Sequence, residues 1–261
     1  MSDVYESNIH ANARQQVILQ LLERQSVVRV AELCERFGVS DMTVRRDLQE
    51  LEQAGLIRRT YGGAVSARGR SFEPPFPARA ATNQAQKQRI GQMAASLVQD
   101  GDSVALDVGT TTLEVARALR DKHNLTVVTH SLPIAQVLAN HPLVRVIVVG
   151  GVLRSGELSL IGHLAERAYR EFYVDKLFLG VGGLSLKAGL TEFNLEDALV
   201  KQAMLQSAKE RIVVADASKL ERVAFAFIGP LTGINTLVTD ADADAQVVRQ
   251  IEEAGVRVML A

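Results

Sequence analysis

The chain has 261 residues, of which 47% are hydrophobic and 23% charged, and its formal net charge is −1. This balance is typical of a folded globular protein and excludes a disordered one, and the length favours two domains. The longest apolar runs fall short of the roughly 20 residues that span a bilayer, and the single cysteine excludes a disulfide framework and a cysteine-rich metal site.

Three helices are predicted at the N-terminal end. Residues 14–23 repeat apolar side chains at three- and four-residue steps, as one buried helix face does. A second helix is predicted over residues 29–37 and ends at Gly38. A third covers about residues 41–54, with Ser40 as its N-cap. Two helices joined by a short glycine-containing turn form a helix-turn-helix motif.

The third helix has two faces of different character. Val44, Leu48 and Leu51 share one side and are predicted to be buried. Arginine, amide and hydroxyl groups on the other side fit base edges and phosphates in a DNA major groove. The predicted DNA-binding residues of this segment are Ser40, Met42, Thr43, Arg45, Arg46 and Gln49. Asp47 faces neither fully in nor out and is predicted to restrain a neighbouring arginine or to cap local structure. Because it is acidic, it is a poor candidate for a DNA contact.

A basic hairpin is predicted after the third helix. Residues 54–70 contain four arginines and no acid in a chain that is close to neutral. Such a strip is either a solvated surface or a footprint for nucleic acid. Residues 56–65, LIRRTYGGAV, predict a two-stranded wing, on which Arg58, Arg59 and Tyr61 would hold phosphates or enter a minor groove.

The first 66 residues resemble the DNA-binding domain of the DeoR family of bacterial transcription regulators. The resemblance rests on the spacing of a few residues and on two short runs: Arg14, Ile18, Leu22, Ser40, TVRRDL at 43–48 and RTYGGA at 59–64. It implies a winged helix-turn-helix domain over residues 1–66.

Residues 67–86 contain three of the chain's six prolines and lack apolar periodicity. We predict a linker that lets the first domain move relative to the rest. From residue 87 to residue 261, apolar β-branched runs alternate with helical stretches. This alternation predicts a Rossmann-like α/β domain with a parallel sheet covered by helices on both faces.

The first polar cluster in this domain follows the first predicted strand. Asp107 and Gly109 lead through Thr110, Thr111 and Thr112 into a helix. The free N–H groups at a helix start suit a phosphate, although a threonine cluster can also be a simple cap. A carboxylate repels phosphate, so Asp107 is predicted to accept hydrogen bonds from sugar hydroxyls.

Two further clusters are weaker. Thr129 ends the next strand beside His130, and a lone histidine there is usually a polar loop residue. Gly182 follows a later strand, and Asp197 and Lys201 lie one turn apart on a helix. That spacing also fits an ordinary surface ion pair.

Residues 87–261 resemble the C-terminal domain of the DeoR family, which is similar in fold to ribose-phosphate isomerase. The matching stretches are DVGTTT, VVGG, DKLFLGVGG, GLT and VVADASKL. The resemblance implies a phosphorylated sugar or polyol effector, with its phosphate on residues 109–112 and the remainder at Lys201. The family's glutamate four residues before the lysine is replaced by Asp197 next to Glu196, which leaves open which of the two reaches the ligand.

Two functions of different class fit these features. The first is a DNA-binding repressor of a carbohydrate or polyol operon that a phosphorylated sugar releases. The alternative is a sugar-phosphate isomerase or deaminase with Asp107 or Asp197 as the base. An enzyme has no use for the first domain, so we predict the regulator, without catalytic residues, metal or cofactor. One module covers one half-site of double-stranded operator DNA, which predicts a homodimer or homotetramer. Without a visible secretory signal or membrane partner, we expect it in the cytoplasm.

Overall fold

The computed structural model describes residues 13–22, 27–53, 56–66 and 69–261. The chain divides into two compact units between Gly69 and Arg70. Within the described residues, no helix is both long and apolar enough to cross a membrane.

The first unit combines helices with a small antiparallel sheet. Its described elements are α1 (13–22), β1 (Val27–Arg29), α2 (Val30–Phe37), α3 (Asp41–Gln53), β2 (Ile57–Thr60) and β3 (Gly63–Ser66). The predicted helix-turn-helix is confirmed, because α2 ends at Gly38 and α3 begins three residues later. Residues 23 and 54, the predicted ends of α1 and α3, lie outside the described residues.

The core of the first unit consists of one face of each helix. Ile18 of α1, Leu33 of α2 and Val44 of α3 are buried, as are Leu48 and Leu51 one and two turns farther along α3. These positions follow the helical repeat of the sequence, so the burial of this core was predictable from it.

The wing is larger than predicted. Instead of a two-stranded hairpin, three strands pair in the order β1–β3–β2. Val28 of β1 lies opposite Ala64 of β3. A strand of three residues is too short to show the alternation by which strands are recognised, and its partner is more than 30 residues away in the sequence.

The second unit is built on a sheet of seven parallel strands in the order β15–β14–β12–β9–β4–β5–β6. These strands are β4 (Ser103–Leu106), β5 (Leu125–Thr129), β6 (Val144–Val148), β9 (Val174–Leu179), β12 (Ala208–Val214), β14 (Thr236–Thr239) and β15 (Arg257–Leu260). All seven were predicted as apolar runs, and the parallel α/β fold is confirmed. The order of the strands reverses between β4 and β9, where an open sheet of this kind usually binds its ligand.

Helices cover both faces of this sheet. They are α4 (Phe76–Ala81), α5 (Gln84–Ser96), α6 (Thr110–Ala118), α7 (Leu132–Leu138), α8 (His163–Arg170), α9 (Leu195–Gln206) and α10 (Ala245–Glu253). Leu106 and Val127 pack into one core with side chains of α5, α6 and α7. Their neighbours Ala105 and Val128 pack into the opposite core with α8, α9 and α10.

Two small antiparallel sheets lie beside the main one and were not predicted. One pairs β7 (Val152–Arg154) with β8 (Ser159–Ile161), and the other has the order β10 (Gly183–Ser185), β11 (Gly189–Glu192) and β13 (Ala226–Gly229). The sequence predicted a helix from residue 160 onward, which was wrong for the first residues because they belong to β8. In a short apolar run, strand and helix cannot be distinguished by periodicity.

The segment 67–86 has structure of its own from residue 69 onward. It contains α4 and the first turn of α5, and the division of the chain places residue 70 and those that follow in the second unit. Arg79 of α4 forms ion pairs with Glu73 and Glu157 of that unit. The exact limits of the domains and the proposed mobility of this segment stay predictions.

Candidate functional site

Helix α3 exposes the face that the sequence assigned to DNA. The Ser40 hydroxyl accepts a hydrogen bond from the Thr43 N–H at 3.3 Å, as an N-cap does. Met42 is 81% exposed, and Arg46 and Gln49 are exposed one and two turns farther along. The opposite face is buried, so this surface is available to a partner of the first unit.

A buried ion pair fixes α3 against α1. Asp47 is fully buried and accepts two hydrogen bonds from Arg14, from Nε at 2.5 Å and from Nη2 at 3.0 Å. The prediction that Asp47 lies between the two faces was wrong, because its side chain is fully buried; the arginine that it restrains is Arg14 of α1 and not one of its neighbours in α3. Its position explains how a charged residue can occupy the inner side of a helix that presents basic groups outward.

The two consecutive arginines of α3 differ in their partners. Arg45 forms a two-point ion pair with Asp41 in solvent, and this hydrogen bond holds the pKa of Asp41 below its usual value. The Arg46 side chain is 64% exposed, and its Nε lies 4.0 Å from Glu50. Since the second contact is long and exposed, Arg46 is the freer of the two to bind another anion.

The wing presents an aromatic residue at its tip. Tyr61 is fully exposed in the turn between β2 and β3. Arg59 is half-buried, and its backbone N–H donates to Glu52 at 2.8 Å, which ties the wing to α3. The side chain of Arg58, the third predicted wing residue, lies outside the described part of the chain.

A buried carboxylate lies at the point where the strand order reverses. Asp107 directly follows β4 and is fully buried. One oxygen, Oδ2, accepts from the Gly180 N–H at 2.9 Å and from Lys201 Nζ. The other oxygen, Oδ1, is buried without a hydrogen-bond partner among the described residues. Burial raises the pKa of Asp107, although Lys201 opposes the shift.

Lys201 of α9 is surrounded by acceptors. Besides Asp107 it lies 3.2 Å from Glu192 and donates to the Gly180 carbonyl at 3.0 Å. Burial acts to lower the pKa of Lys201, but the two carboxylates outweigh it and the pKa is raised. The lysine therefore stays charged. Asp197 and Lys201 do not form a surface ion pair, since both side chains are buried.

The start of α6 follows Asp107 by three residues. Gly109 has φ +131°, a conformation that L side chains rarely adopt, and it turns the chain into the helix. Thr110, Thr111 and Thr112 are buried in the first turn, and the Thr112 hydroxyl donates to the Gly109 carbonyl at 3.0 Å. By their position in the helix, the three threonine N–H groups have no intrahelical acceptor. We call Asp107, the three threonines, Asp197 and Lys201 the candidate effector site.

Asp197 is the carboxylate of α9 that points inward, whereas Glu196 is exposed. Its Oδ2 accepts from Arg154, and its Oδ1 is buried without a partner among the described residues. Burial raises the pKa of Asp197 to about 7, against the opposing charges of Arg154 and Lys201.

The remaining two predicted residues have structural contacts. The Thr129 hydroxyl donates to the Leu106 carbonyl at 2.8 Å and accepts from the Ser131 N–H at 3.1 Å. The first bond joins the ends of the neighbouring strands β5 and β4, and the second is local to the turn after β5, so this hydroxyl is already used. Gly182 donates its N–H to the Thr191 carbonyl at 2.9 Å and lies beside Glu192.

Several residues at this site were not predicted. Glu192 pairs with Lys201, and Arg154 pairs with Asp197. His130, which we interpreted as a loop residue, is fully buried, with Nδ1 2.9 Å from the Tyr169 hydroxyl and Nε2 3.6 Å from Asp107 Oδ1. Burial lowers the pKa of His130 to about 3 and keeps it neutral. No local spacing in the sequence predicts these contacts, because each joins residues from different turns. Among the described residues, no group of histidine, cysteine and acidic side chains is arranged to hold a metal.

Comparison with protein families accounts for both units. The model of the DeoR-like helix-turn-helix domain matches residues 14–69, and that of the DeoR C-terminal sensor domain matches residues 82–241. The chain belongs to the DeoR family. Its first unit is thus the DNA-binding domain of a DeoR-family transcription regulator, and its second unit is the sensor domain.

Curated relatives agree along nearly the whole length. The transcriptional repressor AccR of Agrobacterium fabrum is 38% identical over 87% of this chain and 89% of its own. A putative aga operon transcriptional repressor of Escherichia coli is 34% identical, covering 95% and 93%. The glycerol-3-phosphate regulon repressor of Escherichia coli is 32% identical, covering 93% and 96%.

Solved structures resemble this DeoR-family chain only distantly. Ribose 5-phosphate isomerase A of Methanocaldococcus jannaschii aligns with a TM-score of 0.40 and 18% identity, covering 53% of this chain and 55% of that one. This likeness carries no argument about activity. The family and its named relatives are transcription regulators, which decides against the enzyme alternative.

Proposed function

We propose that this DeoR-family chain represses a carbohydrate or polyol utilisation operon and leaves its operator when a phosphorylated sugar or polyol binds the candidate effector site. Two features carry the proposal: a helix start whose first N–H groups have no intrahelical acceptor, and two buried carboxylates that each have one oxygen without a partner among the described residues. The first is suited to phosphate and the second to hydroxyl groups.

The phosphate would lie at the first turn of α6. Three backbone N–H groups and the positive end of the helix dipole favour a dianion there, and Gly109 keeps the approach free of a side chain. Lys219 would provide a further cation; its Nζ lies over the Phe193 ring, 5.6 Å from the centroid, and it interacts electrostatically with Asp216. Burial lowers the pKa of Lys219, so an anionic ligand would favour its charged form.

The rest of the effector would bind through its hydroxyl groups to hydrogen-bond acceptors of the protein. Oδ1 of Asp107 and Oδ1 of Asp197 are each buried without a partner among the described residues, and a buried acceptor without a donor is unfavourable by about 1–3 kcal/mol. Hydroxyl groups of a sugar or polyol are donors that would satisfy both oxygens. Lys201 would hold Asp107 in place through its other oxygen, and the charge of Lys201 also acts on Asp197.

The names of the relatives support this class of effector. One is a repressor of the glycerol-3-phosphate regulon, and another is described as a repressor of the aga operon. The first name contains a phosphorylated polyol, which is the chemistry that the candidate effector site favours.

On DNA, the exposed face of α3 would enter a major groove and the wing would lie along the adjacent backbone. Arg46 and Gln49 would contact base edges, while Arg59 and Tyr61 would contact phosphates or a minor groove. One such domain covers a half-site, so we propose a homodimer or homotetramer on a repeated operator. As a chromosome-binding regulator it would act in the cytoplasm.

A thermal-shift screen of the full chain tests the effector. Phosphorylated sugars and polyols are compared with their unphosphorylated counterparts, because a ligand that binds only the folded state stabilises it by about 2.7 kcal/mol at a hundred times its Kd. We expect at least one phosphorylated compound to raise the melting temperature and its unphosphorylated form to have little effect. Equal shifts by both forms would contradict a phosphate subsite at α6.

A further inference from the structure

One arginine connects the candidate effector site to the chain that follows the domain boundary. Arg154 ends β7, and its guanidinium donates through Nη1 to Asp197 Oδ2 and through Nη2 to Glu73 Oε2 at 2.8 Å. Asp197 lies on α9, one turn before Lys201. Glu73 lies four residues after Gly69, where the first unit ends.

The contact with Glu73 continues into α4. Glu73 Oε1 lies 3.0 Å from Arg79 Nη2, and Arg79 also pairs with Glu157. Glu157 lies in the turn that joins β7 to β8, so the contacts return to the hairpin that carries Arg154. We call these five residues the Arg154 cluster.

The Arg154 cluster is mostly screened from water and its charges do not balance. Its three acidic side chains are at most 10% exposed and the two arginines at most 24% exposed. Three carboxylates share two guanidinium groups, which is consistent with the raised pKa of Glu157 that burial causes. An interaction of this kind depends on every partner, because a buried charge that loses its counter-ion is strongly unfavourable.

Asp197 belongs to both the cluster and the candidate effector site. Arg154 holds one of its oxygens, and the other is the buried Oδ1 that a ligand hydroxyl would satisfy. A donor at Oδ1 withdraws negative charge from the carboxylate and so changes the pull on Arg154. Since Arg154 divides its hydrogen bonds between two acids, a change at one must affect the other.

We propose that Arg154 is a positioning residue that transmits the state of Asp197 to residues 72–82, and thereby couples the effector site to the segment that leads from the DNA-binding domain. The inference rests on the proposed function for its biological meaning. The physical coupling itself requires neither DNA nor a sugar phosphate. A ligand shifts such an equilibrium only by the difference in its affinity for the two arrangements.

Hydrogen–deuterium exchange on the full chain, without ligand, measures the coupling. Asp197→Ala should speed exchange in peptides from residues 72–82 by about threefold or more, the size expected for contacting residues. In an Arg154→Met background the same substitution should add no further change. Peptides from α10, which lies outside the cluster, should exchange as before and so exclude general destabilisation.

Three more variants sharpen the test. Glu196→Ala removes the adjacent exposed carboxylate and should leave residues 72–82 unchanged. Asp197→Asn keeps the volume of the side chain and should show the pattern of Asp197→Ala at smaller amplitude, which protects the test if the alanine variant does not fold. Arg154→Lys keeps the charge but not the planar fork that reaches two carboxylates, and it should uncouple like Arg154→Met.

Two results would overturn the proposal. Unchanged exchange at residues 72–82 in both Asp197 variants would show that the candidate effector site does not influence this segment. An equal increase with and without Arg154 would show that the influence takes another route. Because no sugar phosphate is present, a failed effector screen leaves this result intact, and the two hypotheses can fail separately.

Discussion

At the scale of single residues, the two aspartates of α3 show how burial determines what an ion pair contributes. Both pair with an arginine through two hydrogen bonds. Asp47 is fully buried against Arg14, whereas Asp41 and Arg45 are in solvent. Water and salt screen the second pair, but removing one partner of the first leaves a buried charge unpaired.

This contrast predicts different effects of the same substitution. Asp47→Asn should lower the free energy of unfolding of the first domain by about 3 kcal/mol, while Asp41→Asn should leave it nearly unchanged. Hydrogen exchange of α3 amides in the full chain measures both, since it reports the stability of this domain separately. Similar effects of the two substitutions would contradict the burial of Asp47.

Arg46 provides the residue-scale test of DNA binding. It is exposed in the middle of the outward face, and its one ion pair with a described residue is the long contact with Glu50. Arg46→Ala should weaken binding to a selected operator duplex by about 1–3 kcal/mol without changing the melting temperature. Arg167→Ala, which removes an equally exposed arginine from α8, is the matched control. Unchanged anisotropy titrations for Arg46→Ala would exclude this face of α3 as the DNA contact.

Asp197 predicts a dependence of stability on pH. Burial raises its pKa to about 7 from an ordinary value of 3.8, so between these values the folded state holds a proton that the unfolded state has lost. Stability contributed by this proton is complete at acid pH and decreases as the pH rises toward 7. The asparagine variant does not titrate. The free energy of unfolding of the wild type, relative to Asp197→Asn, should therefore fall by about 1–3 kcal/mol between pH 4 and 8. A constant difference would show that the carboxyl is ionised throughout.

Sequence reasoning at this scale succeeded where a residue belongs to a local pattern. The exposed and buried faces of α3 follow from helical periodicity, and Asp107 stands out because it precedes a glycine and three threonines. Arg154 and Glu192 could not be found in that way. No local spacing in the sequence connects them to their partners Asp197 and Lys201, and only the folded sheet brings these turns together.

At the scale of elements, the wing depends on a close approach of two strands. A side chain at Gly63 would overlap the carbonyl oxygen of Val28 in the paired strand β1. Gly63→Ala should therefore separate β1 from β3 and destabilise the first domain by about 1–3 kcal/mol, the usual range for overpacking.

Gly69→Ala is the control for this substitution. Apart from its neighbours in the chain, no atom of a described residue lies within 4 Å of the position that its side chain would take, so its stability should match the wild type. The two variants are compared by their melting temperatures and, in a separate experiment, by hydrogen exchange of their wing amides. A stable Gly63→Ala variant would mean that β1 does not pair as described.

The length of an element decided whether the sequence could predict it. The seven strands of the main sheet are apolar runs covered on both faces, which is a strong signal. Strands β1, β7, β8 and β10 have three residues each, and a period of two cannot be read from three positions. Helix α4 was missed because prolines precede it, although proline is well tolerated in a first helical turn.

At the scale of the whole molecule, one chain contains both the DNA-binding domain and the sensor domain of the DeoR family. Regulation then requires that ligand affinity differ between DNA-bound and free protein. Lys201 is a poor place to test this requirement. It is buried and pairs with Asp107 and Glu192, so its removal would take a counter-ion from two buried carboxylates and endanger the fold.

Thr111 allows a cleaner test, because valine has nearly the same shape, keeps the backbone N–H, and removes only the hydroxyl, which we propose as a further donor to the phosphate. Thr232, which is exposed in the sensor domain, offers a control of the same chemistry. Both variants should bind operator DNA like the wild type, since the substitutions lie outside the DNA-binding domain.

Release of a labelled operator duplex by phosphorylated sugars and polyols, followed by fluorescence anisotropy, tests the central claim most directly. We predict that at least one of these compounds releases the wild type and Thr232→Val and that its unphosphorylated form does not. Release of Thr111→Val should require at least about tenfold more of the same compound, which corresponds to roughly 1.4 kcal/mol of lost binding free energy. Release of Thr111→Val at the wild-type concentration, or no release by any phosphorylated compound, would contradict the account.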